Sequence, residues 1–108
     1  KAVSIYHSSL AKKMPLQIVH VNEELEILKD AEFTGYTCLE HDVMYPDYNG
    51  SLGVGDYVIF GNVGGYSNVS KPPFIFWNSP MIAKKADGSL SVMKKGETFE
   101  DIFATYII

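Results

Sequence analysis

Residues 57–63 read YVIFGNV, a run in which aromatic and β-branched side chains follow one another until a Gly-Asn pair stops them. It is the most strand-like stretch of the chain. Turn residues bracket it, with SLGVGD at 51–56 before and GGY at 64–66 after. PDYNG at 46–50 is a further turn cluster ending in Asn-Gly. Upstream, PLQIVHV (15–21) mixes β-branched residues with an interleaved polar position, and ELEILK (24–29) alternates charged and aliphatic residues as a half-buried strand would. VNEE supplies the turn between them. The KDAEF that follows leads to Thr34-Gly35, where glycine permits backbone angles closed to its neighbours.

Downstream, SKPP (70–73) breaks the pattern, FIFW (74–77) resumes an extended aromatic run, and MIAKKADGSLSVMKK (81–95) reads as a hairpin turning at Asp87-Gly88. A helix is predicted only over 98–105. Thr98 with Asp101 three residues on makes a capping box, and Phe99, Ile102, Phe103 and Tyr106 recur on one helical face. Six or seven short strands and one short C-terminal helix predict a mainly β protein, a β-barrel or β-sandwich.

At 108 residues, 46% hydrophobic and 13% aromatic, the composition is that of one globular domain spanning 1–108. A chain this short builds a modest core and is expected to lean on a partner. The net charge is −4, and all nine basic residues are lysines. Without guanidinium forks to track phosphates, nucleic acid is not an expected partner. No apolar run approaches the ~20 residues of a membrane helix. One cysteine, Cys38, makes no internal disulfide, and no signal pattern opens the chain, so a cytoplasmic location is expected. The opening KAVSIYHSSL lacks an initiator Met, which suggests a cut inside a longer polypeptide.

Chemistry is sparse. His7, His20 and His41 are far apart, and Cys38-x-x-His41 is half a zinc set with no second pair, so no metal is expected. His20 reads as a core-edge or surface histidine. Gly50, Gly53 and Gly55 precede a strand rather than a helix and so read as a turn, not a phosphate cradle. Lys84-Lys85 and Lys94-Lys95 flank the hairpin as solvated strand ends. Cys38 sits in GYTCLEHD (35–42), on a loop or strand end beside Glu40, His41 and Asp42. One reading is a small side chain filling a core gap. The other uses its neighbours: carboxylates oppose thiolate formation, which suits the thiol to giving up a proton rather than attacking as a free nucleophile.

The order of motifs is distinctive. G-x-T-C-x-x-x-D at 35–42 is followed by G-D-Y-V-I-F at 55–60, G-G-Y at 64–66 and the aromatic-Asn pair Trp77-Asn78. Together these resemble the C-terminal domain of the pyridoxal-phosphate-dependent ornithine and diaminopimelate decarboxylases, of the alanine-racemase-like fold type, over residues 33–108. The resemblance implies a C-terminal β-barrel or sandwich whose cofactor-bearing TIM-barrel domain lies elsewhere, a homodimer with shared active sites, and a small amino-acid substrate. It implies that Cys38 enters the neighbouring subunit's site and returns a proton to the substrate carbon after carbon dioxide leaves. It makes Tyr66 a ligand of the pyridoxal 5'-phosphate phosphate group, with Gly64 and Gly65 letting backbone pass close to the cofactor. It gives Asp42 a supporting role in the loop and interface.

Two positions depart from the family. Tyr36 replaces a proline, and Leu39 replaces the acidic residue that binds the substrate's distal amino group. Either Glu40 takes that role by a shift of one residue, or the substrate has no simple distal ammonium. No lysine here matches the Schiff-base lysine motif, so the chain alone is expected to be inert. The rival reading is a stand-alone β-domain that binds a ligand or a protein.

Overall fold

The computed structural model describes residues 14–40, 42–64 and 71–107. Six strands and one helix follow in order: β1 (Leu16–Val19), β2 (Glu26–Thr34), β3 (Val43–Leu52), β4 (Tyr57–Phe60), β5 (Met81–Lys84), β6 (Leu90–Lys94) and α1 (Phe99–Phe103). The protein is therefore mainly β with one short helix. The strands pair antiparallel as three separate ribbons, β1–β4, β2–β3 and β5–β6, and among the described residues no barrel closes. No helix among them is long and apolar enough to cross a membrane. Two compact units divide the chain, Lys1–Lys71 and Pro72–Ile108.

In the first unit, β1 lies against β4 with Leu16 opposite Phe60 and Ile18 opposite Val58. These four side chains are half-buried, while Gln17, Val19, Tyr57 and Ile59 on the other face are exposed, the period-2 alternation of a pleated strand. The inward face meets the β2–β3 ribbon through aromatic rings. Phe33 of β2 lies 4.8 Å from Tyr48, 6.3 Å from Tyr45 and 6.0 Å from Phe60, centroid to centroid, the last two edge-on. Such tilted and edge contacts are the favoured geometry for rings carrying a quadrupole.

The turn predicted at 46–50 is not a turn. PDYNG lies inside β3, and β2 likewise runs on through KDAEF. The turn-forming residues serve bulges instead. Lys29 and Asp30 together oppose Asn49, since Leu28 pairs Gly50 and Ala31 pairs Tyr48. Asp30 has φ 48°, and the Asn49 side chain holds it there, accepting from the Asp30 amide at 3.1 Å while donating to the Asp47 carbonyl at 3.2 Å. A second bulge sets Pro46 and Asp47, the latter at φ 54°, opposite Glu32. Proline has no amide to give a ladder, so a bulge is where a strand can hold it.

The second unit follows its sequence closely. β5 and β6 form the predicted hairpin around Asp87-Gly88, with Gly88 at φ 85° and the Asp87 carboxylate accepting from the Ser89 amide and hydroxyl at 2.8 and 2.6 Å. The capping box of α1 is present in both directions. Residues 74–77, expected to be extended, form no ladder. Ile75 there has φ 70°, a left-handed backbone that a β-branched side chain disfavours. Phe74, Ile75, Phe76 and Trp77 are all exposed. Asn78 is buried and exchanges bonds with Glu97: its amide donates to the Glu97 carboxylate at 2.9 Å, and its carbonyl accepts from the Glu97 amide at 3.0 Å.

Candidate functional site

The connection from β2 to β3 is the GYTCLEHD segment, and it folds around Asp42. This residue is 2% exposed, the most deeply buried whole residue among those described. Its carboxylate accepts from the Thr37 hydroxyl at 2.5 Å and the Thr37 amide at 3.1 Å. Its main chain closes the same turn, the carbonyl accepting from the Gly35 amide at 2.7 Å and the amide donating to the Leu39 carbonyl at 3.0 Å. The Thr37 hydroxyl also accepts from the Leu39 amide at 3.4 Å. Gly35 is required here for space. Its φ is not positive, contrary to the backbone-angle expectation; a Cβ at this position would fall on the Asp42 carboxylate.

The outcome for the expected residues is uneven. Cys38 is exposed, so the reading that makes it a core filler is set aside. It stands on a turn stapled behind it by Thr37 and Asp42, and Glu40 is exposed on the same turn. Asp42 faces inward, tied to Thr37. Gly64 is exposed beyond β4, with open space where a side chain would stand. Gly65, Tyr66, His7 and His41 lie outside the described residues. Trp77 is exposed, and Asn78 is occupied with Glu97.

A second node was not anticipated. The Asp56 carboxylate has no solvent-accessible surface and gathers three donors: the Val21 amide at 2.9 Å, the Gly53 amide at 2.8 Å and His20 Nδ1 at 2.6 Å. The Val21 amide foremost, with the Gly53 amide and His20, holds the Asp56 carboxyl below the usual carboxylate range against the opposing effect of burial. Gly55 at φ 91° shapes the approach. The signal was present in the strands themselves. Val19 pairs with Tyr57, so one step further along the antiparallel register brings His20 beside Asp56. With Nδ1 on a carboxylate and its ring partly exposed, His20 is a surface histidine oriented from beneath.

Beside this node an open cleft is lined by Asn22, Glu23, Glu24, Leu25, Glu26, Leu28, Leu52, Gly53 and Val54. Among the described residues no group of three or more His, Cys, Asp or Glu could hold a metal ion. Comparison with protein-family models, curated proteins and solved structures finds no match for this chain.

Proposed function

We propose that this chain is a C-terminal β-domain of a pyridoxal-phosphate-dependent amino-acid decarboxylase of the ornithine/diaminopimelate type, of alanine-racemase-like fold, working as a homodimer with its own TIM-barrel domain. The observation that carries the reading is the exposed Cys38 on a turn anchored by a buried carboxylate. A thiol that serves a site built largely by another body has to project from its own domain and be held still, and the Thr37–Asp42 staple supplies both conditions.

Of the residues that would hold the cofactor, Gly64 alone lies among those described. Gly64, with open space around it, lets backbone approach a phosphate, and Tyr66 would donate its hydroxyl to that phosphate. The lysine that would carry pyridoxal phosphate belongs to the barrel domain, and the bound cofactor would supply the electron sink for loss of the α-carboxylate. Cys38 Sγ carries the proton to be returned to the substrate carbon. Asp42 fixes the turn. Glu40, exposed beside Cys38, is the carboxylate available to a distal substrate group, since Leu39 offers none.

Replacing Cys38 by alanine in the enzyme carrying this domain tests the role. Turnover is expected to fall roughly 10²-fold or more, the usual worth of a positioned general acid, with cofactor binding retained and part of the product appearing as a carbonyl compound. Normal turnover and an all-amine product would end the reading. A binding module is the second reading, favoured by the wide exposure of apolar side chains such as Ile27, Val54, Leu90 and Val92.

A further inference from the structure

We propose that the outer face of the β5–β6 ribbon is a docking surface for an acidic, apolar segment of another polypeptide. The register pairs Ile82 with Val92 and Lys84 with Leu90, and alternation along each strand puts these four on one face. The opposite face carries Ala83 and Ser91, both half-buried. The outer face is open: Ile82 is 53% exposed, Leu90 69% and Val92 66%, with Met93 at the bulge 71%. A two-stranded ribbon is marginal in water unless it packs against something, and aliphatic side chains gathered on one open face are what a partner covers.

Charge selects the kind of partner. Two of the ribbon's four lysines are neutralised within the unit, Lys94 by Glu97 and Lys95 by Asp101, each at 3.0 Å. Lys84 and Lys85 have no carboxylate partner among the described residues. The acid of the turn, Asp87, is engaged with Ser89. A segment that fits therefore brings aliphatic side chains to Ile82, Leu90 and Val92, a carboxylate to Lys84 beside them, and another to Lys85 just beyond the end of β5. This inference stands independently of the decarboxylase reading.

The test is a titration of the methyl-labelled chain with a short peptide alternating Glu and Leu, and with a control alternating Lys and Leu. The Glu-Leu peptide is expected to shift the methyl resonances of Ile82, Leu90 and Val92. Its affinity should fall roughly tenfold in the double variant Lys84→Glu, Lys85→Glu, as loss of complementary charge at an exposed rim allows, and also in about 0.5 M salt, where such charges are screened. Ile82→Ser should weaken binding at any ionic strength. The proposal is overturned by equal shifts from both peptides, by no shift at these methyls, by salt-independent binding, or by self-association of the chain through this face.

Discussion

The two compact units hold their strands together by different means. In the first, two ribbons converge on Phe33, whose ring touches Tyr45, Tyr48 and Phe60, so side chains distant in sequence share one interior. In the second, the hairpin and α1 are made of well-formed local pieces, an Asp-Gly turn and a complete capping box; its ring contacts, Phe103 with Phe99 and Tyr106, are local too, and among the described residues only Asn78 is buried. Local geometry and interior packing are thus separable. The second unit packs its rings only between neighbours in sequence, whereas the first packs them across strands.

Truncating the centre of the aromatic cluster tests the contrast most severely. Phe33→Ala should cost about 3 kcal/mol, the lower part of the range for a large ring because Phe33 is half-buried, and chemical denaturation measures it. A loss as small as that at an exposed site would mean the rings do not form an interior. Next in size is Gly35→Ala, expected to cost roughly 2 kcal/mol because the added methyl displaces the Asp42 carboxylate. Here the check is amide hydrogen exchange at Gly35 and Asp42, which should accelerate before the rest of the unit opens. An unchanged exchange pattern would show that the turn tolerates the methyl.

Acid should reach both units. Asp56 in the first and Glu97 in the second have carboxyls held below their ordinary values, Asp56 chiefly by the Val21 amide and Glu97 chiefly by the Asn78 amide, with Lys94 assisting. The unfolded chain then binds these protons at higher pH than the folded one. Their stabilisation is complete above the ordinary carboxylate range and is lost as pH falls through the lowered values. Melting temperature followed downward from neutral pH should be level and then drop, and Asp56→Asn should shrink the drop in the first unit alone. A curve that rises on acidification would contradict the sign. The smallest effect belongs to the second unit's open face, where Val92→Ala should change stability by about 0.5 kcal/mol or less; a larger loss in the isolated chain would mean the face is already covered.

The hairpin and the helix cap could be read from the sequence because their signals are local: an Asp-Gly at a two-strand junction and a Thr three residues before an Asp act on their own neighbours. PDYNG carried equally strong turn chemistry, yet β2 lay alongside and drew it into a ten-residue strand, where Asn49 and Asp47 shape bulges. Nothing local distinguishes these outcomes, because the deciding contact, Asn49 to Asp30, spans nineteen residues. The loop position of Cys38 was legible from its setting between strand-like runs. What holds that loop was not, since the reason for Gly35 lies in the carboxylate of Asp42, seven positions on.

The three irregularities of the β2–β3 ribbon also bear on how the protein behaves when crowded with copies of itself. A long flat ribbon is a template on which further strands can accrete into fibrils. In this one only Glu26, Ile27 and Leu28 keep an uninterrupted ladder with Leu52, Ser51 and Gly50 before the first shift, and two more shifts follow before Thr34. Each bulge coils the edge and turns successive amides out of line, and Pro46 removes one altogether. The longest ribbon among the described residues is therefore a poor seed for ordered aggregation, and straightening it, by deleting the residue that makes each bulge, is the change most apt to favour fibrils.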